Sequence, residues 1–215
     1  MTPSGHSGTP WRILFTSVNM WAVVLMYFTY GYGVNFFFFW MPTYIVEVRG
    51  IANFAPYASL PFILGAVANG MGGWASDALV RRLGLRWGRR SIGLFGLGGG
   101  VFFVLLSFVS RDPVFALISL ALAFGATDFM LPNCWAVCLD IGKRYAGTVS
   151  GFMNTAAQLG GATALTIIGY FAGRNQWNVA IATMATMLAV SCLLYLVIDA
   201  SRPLVRQEDG DAFSQ

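Results

Sequence analysis

Charge is what this sequence has least of. Asp, Glu, Lys and Arg make up 10% of its 215 residues, against about a quarter in soluble domains. Too few charges remain to face water on all sides, so a soluble globular fold is excluded. Histidine is nearly absent, and the single one, His6, lies in a polar N-terminal tail. An intramembrane serine protease needs a reactive serine and a histidine within the membrane. Ser150 precedes a glycine, but no apolar run holds a histidine. Cysteine is equally sparse: Cys134, Cys138 and Cys192 all lie in apolar runs. Cys134 and Cys138 share a helix face, but two thiols do not make a zinc site, and they read as small buried residues. There is no repeated filter-like loop of the kind a channel needs. The N-terminus lacks the charged start and short apolar core of a signal peptide. The sequence therefore implies no metal, no cofactor and no enzyme chemistry.

What is present is hydrophobic. Apolar residues make up 57% of the chain, and the mean hydropathy is +0.65. They fall into six runs, at 17–46, 54–79, 91–110, 114–139, 146–172 and 177–199. Each is long enough for a membrane span, which needs about 20 residues at 1.5 Å rise. The expected fold is an all-α membrane protein of six transmembrane helices. Residues 1–11 form a polar tail, 12–200 the membrane domain and 201–215 a second polar tail.

The basic residues all sit at the ends of the runs. Arg12, Arg81, Arg82, Arg86, Arg89, Arg90, Lys143, Arg144, Arg202 and Arg206 fall on one side, and Arg49, Arg111 and Arg174 on the other. That imbalance puts the arginine-rich side and both termini in the cytoplasm. The net charge of +4 thus orients the chain in a plasma (inner) membrane, and nucleic acid is not expected as a partner. Trp11, Trp21, Trp40, Tyr44, Trp74 and Trp177 lie near run ends, as interfacial aromatics do. Phe36 to Phe39 read as lipid-facing and packing surface. Glycines four apart, at 96 and 100, 147 and 151, and 169 and 173, allow helices to approach closely.

One segment is more specific. The second run ends in GMGGWASDALVRRLGLRWGRR, residues 70–90. Asp77 sits near a helix C-terminus, where the macrodipole disfavours an anion. It needs a cationic partner, and the arginines that follow are candidates. Such a pair can latch two helices and break during a conformational change; a plain positive-inside loop with one acid at its edge has the same spacing. The segment resembles the G-x-x-x-D-x-x-x-R-R signature of the major facilitator superfamily, with Gly73, Asp77, Arg81, Arg82, Gly84, Arg89 and Arg90 matching. Residues 31–50, 58–73 and 146–171 resemble the seventh, eighth and eleventh helices of its anion:cation symporter branch. The resemblance implies the C-terminal six-helix half of a symporter for organic anions of the hexuronate or sugar-acid type. It also implies two three-helix inverted repeats, coupling to a proton or sodium ion, and completion by a separate six-helix N-terminal half or a second copy of the chain. A non-transporting scaffold or an inactive truncated fragment is the alternative.

Within the runs, polar groups are few. Asp128 is the only acid deep in a span, where a charge costs several kcal/mol. It is a candidate proton- or cation-handling carboxylate, or else a hydrogen-bonded structural acid. Pro132 lies one turn on and opens the helix backbone. Trp135 follows Asp128 by seven residues, on the same face. Asn154 and Gln158, four apart, continue the face of Gly147, Gly151 and Gly161; they line a polar cavity or bond between helices at about 0.6 kcal/mol each. The resemblance assigns Asn154 to the branch's eleventh-helix asparagine and favours the cavity. Tyr32 and Asn35 are further candidate substrate contacts, with Asn69 behind them. The face carrying Asp128, Trp135, Asn154 and Gln158 is expected to be concave and uncovered in a monomer. No Lys or Arg lies mid-span, so an anion bound here takes its positive partner from elsewhere.

Overall fold

A computed structural model describes residues 11–205; His6 and Arg206 lie outside the described residues. The described chain is helical. After α1, Trp11–Thr16, come α2, Val18–Phe39, and α3, Met41–Glu47. Then follow α4, Leu60–Val109, α5, Pro113–Gly142, α6, Ala146–Ala172, and α7, Trp177–Leu194. Four helical stretches are long and apolar enough to cross a membrane: Val18–Phe39, Ala55–Val109, Pro113–Ala172 and Trp177–Leu194. Two of them, of 55 and 60 residues, far exceed the roughly 20 residues that one crossing needs.

Those two long stretches are interrupted. Gly84 inside α4 has φ 76° and ψ 170°, outside the helical region. An added Cβ there would meet nothing within 4 Å, so the glycine is required by its backbone angle and not by crowding. The arginine-rich segment expected as a loop is therefore two helix ends joined at a single residue. Between α5 and α6 a 3-10 turn, Lys143–Tyr145, takes the place of a loop, with Lys143 at φ 48°. Pro42 sits in the first turn of α3, a position where its missing N–H is tolerated.

The helices pair by close backbone approach. α4 packs chiefly on α5, α2 on α6, and α7 fills the space between α2 and α4. A Cβ on Gly31 would overlap the Ala157 backbone, and one on Gly160 would overlap the Phe28 carbonyl. The α2–α6 crossing thus tolerates no side chain at either point. Gly96 and Gly100 pack against α5 as their spacing suggested, whereas Gly147 and Gly151 face open space. Phe36 and Phe37 are buried and Phe38 and Phe39 exposed. Cys134, Cys138 and Cys192 are free thiols, the first two buried. At the other end of the molecule Asp112 caps α5 by accepting from the Phe115 amide at 2.7 Å. Arg49 donates there to the Ser107 and Ser110 carbonyls of α4, which a helix C-terminus otherwise leaves unpaired.

Candidate functional site

The α2–α6 crossing brings α5 alongside and leaves a groove of about 420 Å³ between the three helices. Gly31, Val34 and Ala157 form its floor, where the backbones come closest. Tyr27, Tyr30 and Asn35 from α2, Asp128 and Leu131 from α5, and Asn154 and Gln158 from α6 form its walls. Four residues singled out in the sequence, Asn35, Asp128, Asn154 and Gln158, therefore share one groove.

Their environments differ. Asn35 donates to the Gly31 carbonyl one turn back at 2.8 Å and lies against Gly161 of α6. Its orientation is fixed by its own helix and by a neighbour too small to displace it. Asp128 is half-buried and shares the groove wall with Tyr30. Tyr30 in turn stacks on Tyr27 with ring centroids 5.1 Å apart. Pro132 has no N–H to offer the carbonyl four residues back, that of Asp128 itself, so a backbone acceptor is freed beside the carboxyl. Asn154 and Gln158 are exposed. The groove contains no Lys or Arg.

Three sequence candidates lie elsewhere. Tyr32 is 1% exposed and donates its hydroxyl to Thr183 of α7 at 2.9 Å. Tyr32 follows Gly31 of the groove face by one residue, a rotation of about 100° around the helix, which turns it into the protein. Trp135 does share the azimuth of Asp128, but seven residues is about 10.5 Å along the axis. It stands beyond the groove, 41% exposed. Asn69 is half-buried on α4 and outside the groove. Conversely, Tyr27 and Tyr30 were not singled out. The signal was available: residues 27, 30, 31, 34, 35 and 38 follow the three-and-four spacing of one helix face.

The arginine-rich end is built differently. Arg89 is buried and bonds in three directions. Its Nε donates to Asp140 at 2.9 Å, its Nη1 to the Ser76 hydroxyl at 2.6 Å, and Nη1 also lies 3.4 Å from Asp77. Ser76 donates to Asn133 at 2.7 Å, and Asn133 returns a bond to the Arg89 carbonyl at 3.0 Å. Asn133 also reaches the Tyr195 hydroxyl at 3.3 Å. The cation that Asp77 needs is thus Arg89, yet Asp77 is the loose arm, with a side chain 66% exposed against 18% for Asp140. Arg90 donates to the Ile198 carbonyl at 2.7 Å. Arg81 and Arg82 are exposed and make no salt bridge among the described residues. An added Cβ on Gly73 would sit 3.7 Å from Pro132, an ordinary contact, while one on its neighbour Gly72 would overlap the Phe129 carbonyl.

Comparison with known proteins gives this arrangement a family. The model of the Major Facilitator Superfamily matches residues 2–165 and again residues 82–213. The chain belongs to the major facilitator superfamily. A probable sulfoacetate transporter of Cupriavidus necator is 32% identical over 212 residues, 97% of this chain and 48% of that protein. A chloroplastic ascorbate transporter of Arabidopsis thaliana is 29% identical over 191 residues, covering 87% of this chain and 34% of that one. A D-galactonate transporter of Escherichia coli is 25% identical over 192 residues, covering 87% and 44%. These major facilitator relatives move anions, and the chain spans about a third to a half of their length.

Proposed function

We propose that this chain is one half of a secondary active transporter for a small organic anion, inserted in a plasma (inner) membrane with both termini cytoplasmic. The fold is read as six crossings in two three-helix repeats. Gly84 divides α4 into two, the 3-10 turn at Lys143–Tyr145 separates α5 from α6, and α2 and α7 supply the rest. A single observation carries the functional reading. The few polar side chains in otherwise apolar helices, Asn35, Asp128, Asn154 and Gln158, converge on one open groove, as polar residues lining a substrate path do.

Asp128 is the proton-coupling group in this reading. A carboxyl beside Tyr30, with no basic residue among the described groove residues, can take and release a proton without breaking an ion pair. Asn35, Asn154 and Gln158 supply amide donors and acceptors for the hydroxyls and carboxylate of a sugar acid. The anion's charge has no fixed counter-charge in the groove. That is the reason for proposing completion by a six-helix N-terminal half or by a second copy across the open face. The same lack of positive charge favours the alternative, a non-transporting scaffold or inactive fragment, if no second half exists.

The test is uptake into proteoliposomes of labelled galactonate, glucuronate and sulfoacetate under an inward proton gradient, with the chain alone and with a co-purified partner half. Gradient-driven uptake that drops at least about tenfold in Asp128→Asn, while substrate binding survives, supports coupling at this carboxyl. Uptake unchanged in Asp128→Asn removes Asp128 from the mechanism. No uptake in any combination leaves the scaffold reading.

A further inference from the structure

A second cavity lies at the arginine-rich end, far from the groove's lining residues. It holds about 330 Å³ and is lined by Ser17, Asn19, Arg86, Arg90, Asp199 and Arg202, among others. Three guanidiniums and one carboxylate line it, and two of the guanidiniums pair with the carboxylate. The carboxylate is fully engaged: Oδ2 takes Arg86 Nε at 3.5 Å and Arg202 Nε at 3.4 Å, and Oδ1 takes the Ser201 hydroxyl and amide. Asn19 fixes the Asp199 backbone from α2, donating to its carbonyl and accepting from its amide, each at 2.8 Å. Arg90 is held by the Ile198 carbonyl. The terminal nitrogens of Arg86 and Arg202 have no protein partner among the described residues, and their side chains are 48% and 79% exposed. The result is a prepositioned donor set with a net charge of about +2 among the described residues, three guanidiniums against one carboxylate.

The wall of this cavity continues as an apolar groove. Val18 and Val197 line both the basic cavity and a neighbouring groove of about 270 Å³, whose other walls include Trp21, Leu25 and Leu194. Trp21 is pinned by its indole N–H to the Phe15 carbonyl at 2.8 Å. A basic pocket that opens directly into an apolar channel on membrane helices matches a ligand with an anionic head and a hydrocarbon tail.

We propose that this composite site binds an anionic phospholipid, its phosphodiester between Arg86, Arg90 and Arg202 and an acyl chain along Val18, Leu25 and Leu194. Guanidiniums pair with phosphate oxygens through parallel N–H bonds, and basic pockets between membrane helices hold anionic headgroups. A soluble phosphate would use the head pocket and leave the apolar channel unused, so the channel favours lipid. A lipid seated here would bridge α2, the second part of α4 and the segment after α7.

The experiment is thermal unfolding of the purified full chain in neutral detergent, titrated separately with short-chain phosphatidylglycerol, the matching phosphatidylcholine and inorganic phosphate. Phosphatidylglycerol should raise the unfolding midpoint saturably, with no comparable rise from the other two. Arg202→Gln, a change at an exposed side chain that leaves the fold intact, should weaken the apparent affinity roughly tenfold through loss of charge-assisted bonds. Leu25→Asn should weaken it by shortening the apolar channel, and Lys143→Gln, at an exposed basic residue on the same side, should leave it unchanged. Native mass spectrometry of the purified protein provides the second readout, with retained phosphatidylglycerol expected in the parent chain and depleted in Arg202→Gln. Equal stabilisation by inorganic phosphate, an equal loss in Lys143→Gln, or no saturable response to phosphatidylglycerol would each overturn the proposal.

Discussion

The groove and the arginine-rich end use the same scarce material, polar side chains in an apolar protein, to opposite ends. Around Arg89 every polar partner is answered: Asp140, Ser76, Asn133 and Tyr195 close a network in which most members are buried. In the groove the polar groups are left short of partners. Asp128 makes no salt bridge among the described residues, and Asn154 and Gln158 are exposed. A fully satisfied network rigidifies its surroundings. The two regions thus differ in how fully their polar groups are partnered among the described residues.

The sharpest way to break that comparison is Arg89→Ala. It strands Asp140 beside a buried Asn133 and Ser76, and breaking a buried pair by removing one partner costs about 3–5 kcal/mol. The expected outcome is a large fall in the unfolding midpoint in detergent. A midpoint within one or two degrees of the parent would mean that water replaces the guanidinium and that the network is not structural.

A graded version follows from the two acids. Asp140→Asn removes the 2.9 Å partner and Asp77→Asn the 3.4 Å one. The first should destabilise by about 1.5–3 kcal/mol, as for a hydrogen bond to a charged group. The second should cost under about 1 kcal/mol, as for an exposed pair. Equal effects, measured side by side in chemical unfolding, would show that Asp77 closes on Arg89 in another conformation.

Stability should also respond to acid through Asp199, beyond the end of α7. Burial pushes its carboxyl up, but the Ser201 hydroxyl and amide with Arg86 and Arg202 outweigh this and hold its pKa below the ordinary value of 3.8. A carboxyl with a lowered folded pKa contributes stability above its unfolded value, and the contribution is lost as pH falls through the folded one. The midpoint should therefore drop below pH of about 4, and less so in Asp199→Asn. An identical acid profile in that variant removes Asp199 as the cause.

Much of this was legible before any coordinates, for physical reasons. Uncharged runs bounded by arginines gave away the helices, because the bilayer excludes charge from their middles. Asp128, Asn35, Asn154 and Gln158 stood out because each is a lone polar residue in an apolar run. What stayed hidden was pairing over long sequence separations. Asp140 reads as a helix-end acid until α5 brings it to Arg89, 51 residues away. Tyr27 and Tyr30 carry no signal of their own until α2 is set against α5 and α6, where they line the groove. Tyr32 and Trp135 show the two ways that a helix misleads. One residue beyond Gly31 turns Tyr32 about 100° off the groove face, and seven residues keep Trp135 on the face of Asp128 but move it about 10.5 Å along the axis.

The smallest expected stability effect carries the greatest weight for the comparison. Asn154→Ala and Gln158→Ala remove exposed amides that bond to no protein group needing them, so each should change unfolding by under about 0.6 kcal/mol. If the groove is a substrate path, the same variants should weaken uptake several-fold, because lost hydrogen bonds to a bound ligand are felt in binding. Unfolding and uptake measured on the same preparations separate the two roles. An Asn154→Ala chain that unfolds normally and transports poorly places the residue in recognition. One that unfolds early and transports in proportion to its folded fraction makes Asn154 another packing residue, and the division between a fixed end and an open groove would then have to be drawn elsewhere.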